Sequence, residues 1–166
     1  MQIRRIAAAD NAALAKIIRN SLEEFNAVKK GTVYFDESTD HLSDLFSEKR
    51  SAYFVIETNN EIAGGAGIFP TEGLPPDTCE LVKMYVANKF RGNGYGQTLL
   101  DKCIQEALKN GFLKMYIETM PELSNAIEMY KKNGFKYIPQ PLGNSGHTGC
   151  DVWMMKTLNQ KTKLFN

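Results

Sequence analysis

The residues best placed to do chemistry fall in one stretch, where Arg91 precedes glycines at 92, 94 and 96, between an apolar run ending at Val86 and a helical pattern ending near Leu108. A chain that leaves a strand and starts a helix exposes unpaired backbone N–H groups at the positive end of the helix dipole. An anion suits that place, and a pyrophosphate would fit. Glycines remove the Cβ atoms that would hold a phosphate off the backbone and permit positive φ, and Arg91 adds a charged donor. The same glycines could also serve only a tight turn. No Gly-x-x-x-x-Gly-Lys-Ser/Thr run occurs, which excludes a P-loop. The dinucleotide fingerprint, counted from Gly92, meets Gln97 where its third glycine belongs, although Glu118 closes the next strand roughly where a ribose-binding acid is expected. A dinucleotide-binding module is therefore a weaker alternative, because hairpin-like strands and a single crossover replace its repeated strand–helix units.

Two further side chains stand out. Glu80 opens an otherwise apolar strand, Glu80 to Val86, so it is either a buried working carboxylate or an exposed first residue. Tyr130 lies on an apolar helical stripe with Leu123 and Ile127, where a core tyrosine with a satisfied hydroxyl is the plain expectation.

Arg91-x-x-Gly94-x-Gly96 after the strand, Ile117-Glu118-Thr119 ending the next one, and Asn125-Ala126…Tyr130-x-x-x-Gly134-Phe135 follow in fixed order. In this order and spacing the chain resembles the GNAT superfamily of acyl-CoA-dependent N-acetyltransferases, specifically over about residues 80–135. The resemblance implies an enzyme, with acetyl-CoA as co-substrate, no metal, and a cofactor site made of Met84, Tyr85, Val86, Arg91, Gly92, Asn93, Gly94, Tyr95, Gly96, Gln97 and Asn125. It implies that Asn125 bonds the pantetheine arm, and a backbone N–H near Val86 would hold the oxyanion by the same analogy. Tyr130 matches the residue whose hydroxyl protonates the departing thiolate, and Glu80 matches the general base of some members. A non-catalytic acyl-CoA-binding module is the alternative from another class.

Acyl transfer to an amine needs a neutral amine, a held oxyanion and a protonated thiolate. An alkylammonium titrates near ~10, so a base must take its proton at neutral pH. Glu80 is the candidate, directly or through water. Cys79 has no neighbouring histidine or cation in sequence to activate it, and Cys103 falls on a helix core stripe. Cys150 lies three residues after His147, which leaves a dyad open beside the plainer reading of a loop that shapes the acceptor pocket. His41 reads as a packing histidine. Direct attack is favoured over an acyl-enzyme.

The elements that must position these groups follow from patterning. A first strand at Gln2–Ile6 leads to a helix capped by Asp10 with Leu14, Ile17, Ile18, Leu22 and Phe25 on one face, then a helix near Ser38–Ser47. A hairpin turns at Asn59-Asn60, with Gly64, Gly65 and Gly67 marking close backbone approach or a bulge. In the central strand Glu80, Val82, Met84 and Val86 face one way and Leu81, Lys83 and Tyr85 the other, unless a bulge breaks the phase. The next helix buries Leu100, Cys103, Ile104, Ala107 and Leu108; a parallel strand, Lys114–Thr119, a helix from about Ser124 to Lys132, and a closing hairpin follow. The expected fold is a single-domain mixed α/β structure, a mostly antiparallel sheet with one parallel crossover and helices on both faces, with 159–166 as a mobile tail.

Twenty basic against nineteen acidic residues give no broad pull toward nucleic acid or membrane, and three widely spaced cysteines argue against a disulfide framework or zinc site. The N-terminal stretch lacks a signal-peptide core, so a cytoplasmic protein is expected. The acceptor is expected to be a small-molecule amine or a protein amine, with Phe25, Tyr34 and Phe35 as candidate lining residues and a homodimer left open.

Overall fold

The computed structural model describes residues 1–158, so the expected tail lies outside the described residues. The strands are β1 (Gln2–Arg5), β2 (Ala52–Thr58), β3 (Glu61–Phe69), β4 (Thr78–Val86), β5 (Lys114–Thr119), β6 (Lys136–Tyr137) and β7 (Val152–Thr157). The helices are α1 (Asn11–Glu24), α2 (Leu42–Leu45), α3 (Tyr95–Lys109) and α4 (Ser124–Lys132). The strands form one sheet in the order β1-β2-β3-β4-β5-β7-β6. Every neighbouring pair is antiparallel except β4 and β5, which α3 joins by a crossover.

Both faces of the sheet are covered. On one, Leu14, Ile18 and Leu22 of α1 and Leu42 of α2 pack with Tyr53 and Val55. On the other, Leu100, Cys103 and Ala107 of α3 and Ile127 of α4 pack with Leu81 and Ile117. Ile104 and Leu108, expected in the core, are only half-buried, while Glu106 is buried and pairs with Arg5.

Two local expectations change. Asp10 stands at the start of α1, but its carboxylate makes no helix cap. It accepts instead from Arg4 (2.8 and 2.9 Å) and from the Ala7 N–H (2.8 Å), tying β1 to the helix start. The helix expected at Ser38–Ser47 is two pieces, a 3-10 turn at Glu37–Asp40 and the single turn of α2. His41 between them leaves the helical region, with φ −131° and ψ 42°.

The feature that shapes everything downstream is in β4. Gly65 pairs with Tyr85 and Gly67 with Val82, so three steps along β4 match two along β3. The extra residue is a β-bulge at Lys83, whose φ is +49°. The bulge overturns the expected alternation: Glu80, Val82 and Tyr85 face α1, while Leu81, Met84 and Val86 face α3. The Tyr53 hydroxyl donates to the Lys83 carbonyl at 2.7 Å. Gly65 makes room for that tyrosine, since a Cβ there would lie 2.4 Å from the Tyr53 ring. The Lys83 ammonium, itself buried, pairs with Asp36 at 2.8 Å. β4 pairs with β5 only from Thr78 to Glu80, and beyond that point the ladder stops.

Tyr53→Phe leaves the Lys83 carbonyl without its donor in a buried setting, and urea denaturation should show a loss of about 1–2 kcal/mol. Unchanged stability would mean that the bulge holds itself without the tyrosine.

Candidate functional site

Where β4 leaves β5, a cleft of ≈ 400 Å³ opens between β4, the start of α3 and α4. Gly92 (φ +80°) and Gly94 (φ +76°) turn the chain in the left-handed region, and Gly94 immediately precedes α3. A Cβ on either glycine would meet nothing within 4 Å, so both present bare backbone to open space. The first N–H groups of α3 have no partner inside the helix and carry its positive dipole end. Together they make an anion cradle at the mouth of the cleft.

All of the expected cofactor contacts except Asn93 line this cleft. Met84, Tyr85 and Val86 form the β4 wall, Gly92, Gly94, Tyr95, Gly96 and Gln97 the turn and helix start, and Asn125 the α4 side. Asn93 points back instead, donating to the carbonyls of Phe90 and Arg91 and bracing the turn. Arg91 lines the cleft but is already engaged: it donates to the Val86 carbonyl (2.9 Å), Glu24 (2.8 Å) and Ser21 (3.1 Å), over the Phe25 ring. Its local role is to lock the turn onto α1, which sequence spacing gave no means of seeing. Gln97 and Asn133 exchange amide hydrogen bonds at 2.9 and 2.8 Å, clamping α3 to the end of α4. Of the aromatic acceptor candidates, Phe25 lines the cleft, Tyr34 donates to Glu23, and Phe35 is exposed.

A second, smaller cavity of ≈ 60 Å³ lies between β4 and β5 beyond their last pair, and Met84, Tyr85, Leu123, Ala126 and Tyr130 belong to both. The Tyr130 hydroxyl therefore stands at the junction, 3.8 Å from the Met84 sulfur, and burial pushes its pKa up. On the far side sits Glu80, 3% exposed and accepting from the Thr71 hydroxyl. Burial pushes its carboxyl up to about 7; the Thr71 hydrogen bond opposes this, and the nearby Glu118 adds to it. Glu80 and Tyr130, the expected base and acid, thus line the same small cavity.

Sequence spacing gave no means of placing two residues, Glu118 and His147, beside Glu80. Glu118, Glu80 and His147 bring two carboxylate oxygens and an imidazole nitrogen within 4.8 Å of one another. Tyr116 (2.8 Å) and Ser145 (2.6 Å) each donate to Glu118. His147 faces Asp36 at 3.6 Å, and with Lys83 it holds the Asp36 carboxyl well below the carboxylate range. One signal was present, a lysine inside an apolar strand; Asp36 and Glu118 are brought in from distant loops and strands. The Cys150–His147 dyad gains no support, since burial pushes the Cys150 thiol up to about 12 and the imidazole faces Asp36. Cys79 is likewise raised to about 12 by burial, and Cys103 is fully buried.

Residues 16–135 match the Acetyltransferase (GNAT) family. The chain belongs to that family. An uncharacterized N-acetyltransferase of Escherichia coli K12, YjgM, is 37% identical over 157 residues, 94% of either chain. Among solved structures, a GNAT-family acetyltransferase from Staphylococcus aureus Mu50 superposes with a TM-score of 0.83 at 18% identity, over 95% of this chain and 99% of that one. The putative acetyltransferase yncA of Salmonella typhimurium, solved with acetyl-CoA, superposes at 0.76 with 21% identity, over 96% and 94% of the two chains. The protein is thus a GNAT enzyme of the acetyltransferase class. The repeated parallel units of a dinucleotide module are not found, as β4 and β5 are the one parallel pair among the described strands. Among the described residues no helix is long and apolar enough to cross a membrane.

Glu80 costs this GNAT enzyme stability. The folded chain holds the Glu80 proton more tightly than an unfolded chain with its ordinary value of 4.5, so rising pH removes stability between about 4.5 and about 7. Glu80→Gln keeps an acceptor for Thr71 without the charge. At pH 8 it should stabilise the fold by on the order of 3 kcal/mol, and at pH 4 it should change little. Denaturation curves at the two pH values check this; an equal effect at both would show that Glu80 is not a buried charge.

Proposed function

We propose that this GNAT enzyme transfers the acetyl group of acetyl-CoA to a primary amine by direct attack, with Glu80 as general base and Tyr130 as general acid. The observation that carries the reading is the meeting of two cavities at Met84 and Tyr130. The cleft that ends at the bare N-terminus of α3 lies on one side, and a buried carboxylate that titrates near neutrality lies on the other. Coenzyme A is long, anionic at its 3′-phospho-ADP end and uncharged along its pantetheine arm, and the cleft offers N–H donors at one end and a mainly apolar wall toward Met84 and Tyr130. That the yncA neighbour was solved with acetyl-CoA supports the same choice of donor.

In this reading the amine reaches the junction from the Glu80 side. Glu80 takes one proton from the ammonium, and the neutral nitrogen attacks the thioester carbonyl carbon to form the C–N bond. A backbone N–H of β4 near Val86 steadies the developing oxyanion. As the C–S bond breaks, Tyr130 gives its proton to the thiolate, and its own proton is replaced from the amine nitrogen or from solvent. Burial keeps the Tyr130 phenol protonated, so a proton is in place as the thiolate leaves, and the same desolvation raises the basicity of that thiolate. Both cysteines near Glu80 are held as thiols, which supports direct attack over an acyl-enzyme.

Tyr130→Phe should lower kcat by roughly 10²-fold with little change in the KM for acetyl-CoA, measured as free thiol released with a panel of primary amines. Wild-type turnover in this variant removes Tyr130 from the mechanism. Gly94→Val places a branched side chain at φ +76° and over the helix N–H groups, so it should raise the KM for acetyl-CoA by about tenfold or more. An unchanged value in a folded variant means that the turn does not hold the donor.

A further inference from the structure

The small cavity contains an electrostatic imbalance. The charged groups that line it come from three places, Glu80 and Lys83 from β4, Glu118 from β5 and His147 from the loop before β7, and Asp36, from the loop after α1, stands behind Lys83 and His147. Lys83 is taken, since its ammonium is 2.8 Å from Asp36 and also reaches Thr39. His147 faces the same Asp36. Among the described residues, no lysine or arginine makes an ion pair with Glu80 or with Glu118. Two carboxylates, one fully buried and one half-buried, thus converge on a cavity where the side chains that hydrogen-bond them are hydroxyls: Thr71 on Glu80, and Tyr116 and Ser145 on Glu118, with the His147 nitrogen standing within 4.8 Å. Hydroxyls fix the carboxylates in place without neutralising them, and Lys83 and His147 offset only part of a charge that burial makes costly.

We infer that Glu80 and Glu118 form a two-carboxylate socket for the acceptor amine in its cationic form, and that Glu118 holds the ammonium while Glu80 removes its proton. An ammonium carries three donors, enough for both carboxylates at once. The cavity of ≈ 60 Å³ is narrow, so a slim CH2–NH3+ end enters it more readily than a branched one. The substrate class is therefore an unhindered primary alkylamine. Two orienting hydroxyls on Glu118 and one on Glu80 divide the work: the doubly held carboxylate is fixed in place, and the more deeply buried one accepts the proton. This extends the acetyltransferase reading, on which it rests.

The probe is n-butylammonium chloride, titrated into CoA-saturated protein carrying 13C at the glutamate side-chain carboxyls; Glu80→Gln and Glu118→Gln assign the two resonances by their loss. Equilibrium dialysis first establishes CoA binding. Failure there overturns the acetyltransferase reading itself, whereas failure of the amine titration alone overturns only the socket. Saturable shifts of both resonances are expected, with n-butanol causing none and tert-butylammonium binding at least about tenfold more weakly. Glu118→Gln should weaken n-butylammonium binding by about tenfold or more, and should move the Glu80 titration to lower pH as the neighbouring charge is lost. Shifts at Glu80 alone, or an unchanged affinity in Glu118→Gln, would remove Glu118 from the socket. Equal responses to n-butanol and n-butylammonium would show that charge plays no part.

Discussion

The positive φ of Lys83 is the constraint on which the rest of the site depends. A bulged strand bends and loses its partner on one side, and here the bend comes just after β4 has made its last pairs with β5 at Glu80. The gap that follows is where both cavities lie. The distortion is held by long-range contacts: the Tyr53 hydroxyl on the Lys83 carbonyl, the space left by Gly65, and the Asp36 carboxylate on the Lys83 ammonium. Strain at a non-glycine residue persists only when its surroundings fix it in this way. The same ion pair ties the loop after α1 to β4 beside the small cavity, which Thr32 and Val33 of that loop line.

The glycine turn solves the other half of the problem with local means. Gly92 and Gly94 both need positive φ, and both leave backbone exposed where a side chain would project. Arg91 and Asn93 spend their donors on the turn and on α1, and the Gln97–Asn133 pair fixes α3 against α4. The cradle is thus built from a rigid backbone rather than from mobile charged side chains, which suits a site that must hold a long donor in one pose. Glu80 and Tyr130 then face the junction from rigid secondary structure, one from β4 and one from α4.

What was legible in the sequence follows this division. The turn, the crossover and the amphipathic faces of α1, α3 and α4 are written in spacings of a few residues, and the structure shows them close to where patterning puts them. Glu80 was visible because a carboxylate in an apolar strand is conspicuous. The phase of β4 after Lys83 was not readable, because nothing within that strand announces the contacts from Tyr53 and Asp36 that stabilise the bulge. Glu118 was seen as a possible ribose ligand and as part of the Ile117-Glu118-Thr119 strand end, not as a neighbour of Glu80, since that approach depends on where β4 and β5 part. Asp10 looks like a helix cap from its neighbours; Arg4, across from it in space, decides otherwise.

The central claim is that the glycine cradle and the opening beyond Glu80 form one site for an acyl-CoA donor. Calorimetric titration with acetyl-CoA, and with NAD in a parallel cell, tests it most directly. The account predicts micromolar acetyl-CoA binding and no heat of binding with NAD. Binding of NAD with silence toward acetyl-CoA would contradict it, and the roles given to Glu80 and Tyr130 would fall with it.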